Sequence, residues 1–263
     1  MKSFLIKLFF LIVCVISTQI ANAKDFKFIQ VTDLNFENNE ISISSLDRLI
    51  KDINQTRDLD FVVFTGDNIK NSNKTDMKEF LKKARKINAP YYVLLGDTDC
   101  SRTGLRKADA IKLISGNLLS KKTTANKIVK KGDLVLIFPD GTKEMINMGG
   151  YYKPETMAWL DKKLNKYKNR NVLIFQHFPL VMLNDSSTKN LHKREEYIKL
   201  INGHNNVKAV FTGHFNTNSE TQLGNTMHYV TQAAGGAVPV YRLVVMKNVG
   251  NNKYDIYTQI VGF

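Results

Sequence analysis

Apolar residues along this chain follow two alternating patterns, which predict buried strands separated by amphipathic helices. Five short runs are almost wholly apolar until they end in polar residues: FKFIQVTD, FVVFTGD, YYVLLGD, NVLIFQH and VKAVFTGH. Between the first two runs, four aliphatic side chains recur at the spacing of one helix face: Leu46, Leu49, Ile50 and Ile53. The segment MKEFLKKARKI predicts a second helix before the third run. Apolar strands that alternate with helices imply a sheet covered on both faces.

The pattern changes after the third strand. A Lys-Gly-Asp turn in NKIVKKGDLVLIFPDG separates two β-rich runs and predicts a hairpin. An apolar stripe then predicts a helix from Pro154 to about Lys168, and a later helix would end at Gly203. From Met227 onward apolar and polar residues alternate, which predicts antiparallel strands suited to a second sheet packed on the first. We therefore predict one α/β domain over residues 24–263, with a two-sheet β-sandwich core flanked by helices.

The amino terminus has the three parts of a secretory signal peptide. Lys2 and Lys7 precede an apolar segment, residues 8–16, and the small-x-small sequence ANA follows at residues 21–23. The apolar segment is short for a membrane span, so we expect no stable span after cleavage; an uncleaved anchor is the alternative. The sequence thus predicts a signal peptide over residues 1–23 and an exported protein, either periplasmic or extracellular.

The net charge indicates which classes of partner the protein binds, and the cysteine content indicates whether a disulfide stabilises its fold. The formal net charge is +14, and loss of Lys2 and Lys7 with the signal would leave +12. Such a charge favours anionic partners, namely phosphate esters, nucleic acid or an acidic envelope surface. The lysine-rich runs resemble solvated helix faces and lack interleaved aromatic residues, so support for nucleic acid is weak. Cys100 alone would remain after cleavage, which predicts a domain without an intramolecular disulfide.

Metal-type side chains follow all five apolar runs. They occur in chain order as Asp33 and Asn35, Asp67, Asp97 and Asp99, His177, and His214 and Asn216. Each alone has an ordinary explanation, because a strand-end aspartate is commonly a turn residue and a buried histidine is commonly structural. In open α/β sheets, however, ligands bind beyond the carboxyl ends of the strands. Five strands ending in this way therefore predict a shared metal site.

The order of these motifs resembles that of the calcineurin-like metallophosphoesterases. This chain reads D-x-N, GD-N, GDTD, H and GH-x-N, where that family reads D-x-H, GD, GNH-[DE], H and GH-x-H. The stretch ETMAWLDKKL and the following NVLIFQHFP are also similar to the family's helix and strand before its fourth motif. The resemblance covers the predicted mature chain and implies the family's two-sheet fold. It also implies a phosphoesterase in which a hydroxide held between two metal ions attacks phosphorus in line.

The resemblance further implies a role for each motif residue. One metal would be held by Asp33, Asn35, Asp67 and Asn216. The other would be held by Asp67, Asp97, His177 and His214. The residues implied in catalysis are Asp67, Asp97, Thr98 and Asp99. Thr98 occupies the position of the family's histidine that assists the leaving group, and Asp99 would orient a ligand by hydrogen bonds.

Three departures from the family pattern leave two hypotheses open. Asn35 and Asn216 stand where the family has imidazoles, and Thr98 cannot act as a general acid near neutral pH. The chain would then bind one or two divalent ions, such as manganese, zinc, iron or magnesium. The first hypothesis is a phosphoesterase that acts on a small phosphate mono- or diester. The second is a degenerate relative that binds a metal or a phosphorylated ligand without turnover.

Overall fold

A computed structural model describes residues 24–145, 148–182, 188–251 and 253–263. The predicted signal peptide, residues 1–23, lies outside the described residues. Within the described ranges, every helix is too short or too polar to cross a membrane.

The described residues form eleven strands and five helices. The strands are β1 (Phe26–Val31), β2 (Phe61–Phe64), β3 (Tyr91–Val93), β4 (Lys127–Lys131), β5 (Leu134–Phe138), β6 (Asn171–Phe175), β7 (Val207–Thr212), β8 (Ser219–Leu223), β9 (Thr226–Val230), β10 (Val240–Gly250) and β11 (Lys253–Gly262). The helices are α1 (Glu40–Gln55), α2 (Lys74–Ala84), α3 (Lys107–Ser115), α4 (Pro154–Lys166) and α5 (Arg194–Asn202).

The strands are divided between two mixed sheets. One sheet has the order β11-β10-β1-β2-β3, and the other has the order β4-β5-β6-β7-β9-β8. β1, β2 and β3 run parallel in the first sheet, as do β5, β6, β7 and β9 in the second. The antiparallel strands lie at the edges, where β10 pairs with β1 and β4 pairs with β5. This arrangement confirms the predicted α/β fold with a two-sheet core.

Aromatic side chains fill the space between the two sheets. Phe28 of β1 stacks on Phe61 at 4.8 Å between ring centroids and meets Phe211 of β7 edge-on at 5.2 Å. Phe211 in turn stacks on Phe175 of β6 at 5.1 Å. All four rings are fully buried. Each buried phenylalanine contributes roughly 1.5–3 kcal/mol, and the ring pairs add about 0.5–1.5 kcal/mol each, so this layer fixes how the sheets face one another.

Helices cover the outer face of each sheet, as the apolar spacing predicted. In α1 the four aliphatic side chains of its apolar face are buried, and Asn39 caps the first turn by accepting a hydrogen bond from the Ser42 N–H at 2.9 Å. α1, α2 and α3 pack on the first sheet, whereas α4 and α5 pack on the second. α4 begins with Pro154, as expected, and Gly203 is the residue at which α5 ends.

Three elements differ from the sequence-based expectation. The tail is divided between the sheets, because β9 joins β7 in the second sheet while β10 and β11 complete the first. α3 was not predicted, since it buries only Ala110 and Ile111 and so lacks an apolar stripe. β8 was also not predicted, because its sequence SETQL is polar and half-exposed at a sheet edge.

A buried histidine in the second sheet couples stability to pH. His228 lies in β9 opposite Val210 and Thr221 and is 3% exposed. Its Nδ1 atom has no hydrogen-bond partner among the described residues. Burial, reinforced by the positive charge of Arg194, lowers the pKa of His228 from 6.5 to about 4.

We therefore expect His228→Leu to reduce the sensitivity of the fold to acid. The native state favours the neutral ring. The contribution of His228 to the unfolding free energy is therefore complete above the unfolded-state pKa of 6.5, and it is lost as the pH falls towards 4. The parent should lose up to about 3 kcal/mol of unfolding free energy over this interval through His228. Urea unfolding at pH 7 and pH 4.5 measures the difference. An exposed-histidine variant, His192→Gln, is the control, and equal losses in parent and His228→Leu would contradict the assignment.

Candidate metal centre

Four buried side chains from both sheets converge at the carboxyl ends of the parallel strands. Asp67 and Asp97 follow β2 and β3 of the first sheet, and His177 and His214 follow β6 and β7 of the second. Each offers one ligand atom, and these atoms all lie within 4.8 Å of one another. All four residues are at least 94% buried. The two sheets thus bring together the four residues that the family resemblance assigns to one metal.

The backbone at these strand ends adopts a conformation that ordinary L-residues seldom use. Positive φ angles occur at Asp33 (50°), Asn35 (49°), Asp67 (50°), His214 (70°) and Asn216 (52°). Each such conformation costs about 1–3 kcal/mol and persists only where the surroundings enforce it. Backbone hydrogen bonds do so here, because the Asp33 N–H donates to Gly66 O at 3.0 Å and the Asn35 N–H donates to Asp67 O at 2.9 Å. The turns therefore direct these side chains beyond the sheet edge.

Two glycines permit the close approach that the site needs. A Cβ atom at Gly96 would lie 2.1 Å from Asp67 Oδ1, and one at Gly213 would lie 2.4 Å from Asp33 Oδ2. A side chain at either position would displace a site carboxylate. Packing therefore requires a glycine at both positions, before the first aspartate of GDTD and before the histidine of TGH.

His177 lies between a backbone carbonyl and two carboxylates. Its Nδ1 atom is 2.9 Å from Thr65 O, whereas its Nε2 atom is 3.2 Å from Asp97 Oδ1 and 3.4 Å from Asp67 Oδ1. A carbonyl oxygen can only accept, so Nδ1 carries a proton. In the neutral ring Nε2 then points its lone pair into the cluster, which is the tautomer that suits a metal ligand.

His214 has the same arrangement with its two nitrogens exchanged. Its Nε2 atom is 3.1 Å from Lys189 O, and its Nδ1 atom is 3.0 Å from Asp97 Oδ1. Each imidazole is therefore held between oxygens on both sides. Such a ring must carry a second proton or face a cation, because a lone pair directed at a carboxylate is repulsive. Two imidazoles and two carboxylates held in this way fit a divalent ion such as zinc, manganese or iron.

The electrostatics of the cluster reflect several buried carboxylates facing two imidazoles. Burial disfavours the protonated ring and so lowers the pKa of His177. The negative charges of Asp67 and Asp33 outweigh burial and raise this pKa well above its ordinary value. Burial likewise opposes ionisation of Asp97, yet hydrogen bonds from His177 and His214 lower the pKa of Asp97 overall. Burial raises the pKa of Asp33, with a further contribution from Asp67. The cluster therefore stabilises positive charge at its centre.

The set assigned to the other metal is assembled less completely. Asp33 lies beside the four-residue cluster rather than within it, and its Oδ2 atom accepts hydrogen bonds from Thr32 Oγ1 at 2.6 Å and the His214 N–H at 2.9 Å. Asn35 directs its amide N–H to Asp33 O at 3.0 Å, and Asn216 is exposed. The four residues assigned to this metal offer only oxygen ligands, so this half suits a hard ion such as magnesium or calcium better than zinc.

Thr98 and Asp99 hold the loops that carry the ligands. The Thr98 N–H donates to Asp67 Oδ1 at 2.9 Å, while the Thr98 hydroxyl donates to Ile69 O at 2.7 Å. Asp99 is fully buried and accepts from the backbone N–H groups of Asn68, Ile69 and Gly96 and from the Asn68 side chain. Burial and the charge of Asp67 raise the pKa of Asp99 to about 7. Both residues therefore position Asp67 and Asp97 in this structure.

Several groups that shape the site left no signal in the sequence. The carbonyls of Thr65 and Lys189 fix the two imidazoles, and the N–H groups of Ala234 and Gly235 donate to Thr32 O and Asp33 O at 2.9 Å and 3.0 Å. Backbone groups are common to almost every residue, so sequence motifs do not mark them. The sequence AAGGA (residues 233–237) is equally compatible with a turn that borders the site and with a simple connector, and the structure places it against the Asp33 turn.

Paired sheets with an Asp/His cluster at their carboxyl edge define the metallophosphoesterase class. The chain belongs to the calcineurin-like phosphoesterase family, because the model of that family matches residues 26–217. It is 27% identical over 178 residues to the probable glycerophosphodiester phosphodiesterase GpdQ of Arcobacter nitrofigilis, a match that spans 66% of this chain and 63% of that protein.

Solved structures share the fold at low sequence identity. A dimetal phosphatase from Danio rerio superposes with a TM-score of 0.68 at 14% identity, over 89% of this chain and 98% of that one. GAP50, the anchor in the inner membrane complex of Plasmodium, superposes with a TM-score of 0.62 at 13% identity, over 90% of this chain and 84% of that one. At this level of identity the comparisons establish the fold alone.

We expect Asp99→Asn to destabilise the fold rather than to act on chemistry alone. Each Asp99 oxygen accepts two N–H donors, so an amide NH₂ in either orientation leaves two donors unpaired. The unfolding free energy should fall by about 2–4 kcal/mol. Chemical denaturation measures the loss. Asp109→Asn, which removes an exposed carboxylate paired with Lys112, should change stability by less than about 0.5 kcal/mol; equal effects would show that the Asp99 hydrogen bonds are not structural.

Proposed function

We propose that this protein is a metal-dependent phosphoric ester hydrolase. The observation that carries the proposal is the buried cluster of Asp67, Asp97, His177 and His214, in which a backbone carbonyl holds one nitrogen of each imidazole and the other nitrogen faces the carboxylates. Family membership supports the same reaction class.

The chain's own residues would divide the work of this reaction. A divalent ion bound by the cluster would supply positive charge to the phosphoryl group and lower the pKa of water. Thr65 and Lys189 hold the imidazoles through their carbonyls, and Asp99 holds the loop between β3 and α3. The Thr98 hydroxyl proton is donated to Ile69 O, so Thr98 cannot protonate a leaving group. The enzyme would therefore favour substrates whose leaving groups need no proton.

Small phosphate esters fit the basic charge and the family. The relative from Arcobacter nitrofigilis carries the name of a phosphodiesterase, which supports a diester among the candidates. A monoester with an acidic leaving group satisfies the same constraint. Nucleic acid remains a weaker candidate that rests on net charge alone.

A second candidate function is ligand binding without turnover. Two contacts favour it, because the Thr98 hydroxyl is tied to a backbone carbonyl and the Asn35 amide is tied to Asp33 O. The shared fold does not exclude this role, since the Plasmodium structure with the same fold is named as an anchor.

Metal content and hydrolysis together distinguish the two candidates. We expect the purified protein to retain a divalent ion after dialysis against manganese or zinc and to hydrolyse bis(p-nitrophenyl) phosphate. Asp67→Asn and His214→Ala each remove one ligand and should lower the rate by at least about 100-fold. His204→Gln, whose ring bonds Asp161 away from the cluster, is the control. Retained metal with no turnover would favour the binding role, and variants as active as the parent would overturn the site.

We further propose that the protein is exported. The charged start, the apolar segment at residues 8–16 and the ANA sequence support cleavage after Ala23. Expression with a C-terminal tag, followed by intact-mass measurement of the extracytoplasmic fraction, should give a chain that begins at Lys24. A full-length chain held in the membrane fraction would indicate the uncleaved anchor instead.

A further inference from the structure

A polar layer of buried side chains connects the two sheets. Its members are Gln30 of β1, Thr65 directly after β2, Thr231 directly after β9 and Arg242 of β10. Each of them is at most 1% exposed. Burial of polar groups is costly unless hydrogen bonds satisfy them, so the partners of these side chains show what the polar layer holds in place.

Gln30 lies at the centre of the polar layer and contacts both sheets. Its amide NH₂ donates to Thr65 Oγ1 at 3.0 Å and to Thr212 O of β7 at 2.9 Å. Its Oε1 atom accepts from Thr231 Oγ1 at 2.7 Å. A carbonyl oxygen can only accept, so Thr212 O determines which end of the amide faces it. The Gln30 side chain is therefore held in one orientation.

Arg242 anchors the other end of the polar layer. Its Nε–H donates to Thr231 Oγ1 at 2.9 Å, and its Nη2 donates to Val230 O at 3.0 Å. Its Nη1 donates to Glu220 Oε1 at 2.6 Å. The guanidinium also lies 5.2 Å from the centre of the Tyr229 ring. Contacts on several sides thus satisfy this buried charge and fix its position.

The hydrogen bonds of the polar layer run in one direction, from Arg242 to Thr65. Arg242 donates to Thr231, and Thr231 donates to Gln30. Gln30 then donates to Thr65. Each donor in such a chain is polarised by the one before it, and here a positive charge stands at the start. Removal of one member should therefore weaken the bonds that follow it.

The polar layer ends on backbone segments that carry or hold the candidate metal ligands. Thr65 O accepts from His177 Nδ1 at 2.9 Å, and Thr65 is two residues before Asp67. Thr212, whose carbonyl accepts the other amide N–H, is two residues before His214. The group that accepts the second N–H of a metal-binding histidine orients its ring. The polar layer is thus joined to both imidazoles, by a hydrogen bond at His177 and along the chain at His214.

We propose that Gln30, Thr231 and Arg242 are positioning residues for the metal centre, which they hold through Thr65 and Thr212. This inference rests on the proposed function and deepens it, because it adds residues that no sequence motif marks. Thr231 and Arg242 lie beyond residues 26–217, the range that the family model matches. None of the three belongs to the ligand cluster, so they act on the geometry of the ligands, and metal affinity is the quantity that reports on them.

Two substitutions at Thr231 separate hydrogen bonding from packing. Thr231→Val keeps the side-chain volume but removes the hydroxyl between Arg242 and Gln30, whereas Thr231→Ser keeps the hydroxyl and loses a methyl group. The probe is Mn²⁺ alone, titrated into the purified protein after chelation and followed by the electron paramagnetic resonance of the free ion. We expect Thr231→Val to weaken Mn²⁺ binding by about tenfold, and Thr231→Ser to bind within about twofold of the parent.

Further variants break the chain elsewhere and control for lost stability. Gln30→Met and Arg242→Met should each weaken Mn²⁺ binding by about tenfold, and the two Thr231 variants decide the outcome if either fails to fold. Ile53→Val, which removes a methyl group from the buried face of α1, should bind Mn²⁺ like the parent. Urea unfolding verifies that each variant is folded during the titration. Parent-like affinity in Thr231→Val, or an equal loss in Thr231→Val and Thr231→Ser, would overturn the proposal.

The outcome is separable from that of the proposed function. Weaker Mn²⁺ binding in Thr231→Val but not in Thr231→Ser would support the positioning role even if no ester were hydrolysed. Hydrolysis of bis(p-nitrophenyl) phosphate together with parent-like Mn²⁺ binding in Thr231→Val would leave the hydrolase standing and remove the positioning role. A parent protein that binds no Mn²⁺ would overturn this inference, whereas hydrolysis supported by another ion would still uphold the hydrolase.

Discussion

The candidate site depends on how the two sheets are held face to face, because each sheet supplies half of the ligands. Aromatic rings fill most of the interface, but a few buried polar contacts cross it. Gln30 of β1 donates to Thr212 O of β7 at 2.9 Å, and the His214 N–H donates to Asp33 Oδ2 at the same distance. Apolar contacts tolerate sliding, whereas a buried hydrogen bond fails when its partners separate. These contacts therefore fix the sheet alignment that the cluster requires.

The sequence predicted which side chains converge better than it predicted the groups that hold them in place. Strand-end aspartates and histidines are visible because apolar runs end in side chains with distinctive chemistry, and the structure brings Asp67, Asp97, His177 and His214 together. The Thr65 and Lys189 carbonyls could not be predicted, since nothing in a residue's type shows where its backbone will point. The same limit applies to α3 and β8, which lie at the surface and bury too little apolar area to leave a periodic pattern.

The buried carboxylates of the site favour positive charge nearby. The replacement of two family imidazoles by Asn35 and Asn216 does not change this preference. Asp33, Asp67, Asp97 and Asp99 are all buried within one edge of the sandwich. Burial of several carboxylates is strongly unfavourable unless positive charge compensates them. His177 and the shifted pKa values of Asp33 and Asp99 absorb part of this cost. A bound divalent ion would absorb more of it, so the loss of two family imidazoles leaves the demand for positive charge in place.

The hydrogen bond of Thr98 limits the ways in which the site can assist a departing oxygen. An enzyme can stabilise a departing oxygen either by protonating it or by surrounding it with fixed positive charge. Thr98 does not supply the first means, because its hydroxyl proton is donated to Ile69 O. The second means would then fall to the ion that Asp67, Asp97, His177 and His214 could hold. A site that lacks a proton donor at Thr98 would favour leaving groups that are already acidic and that keep a negative charge after departure.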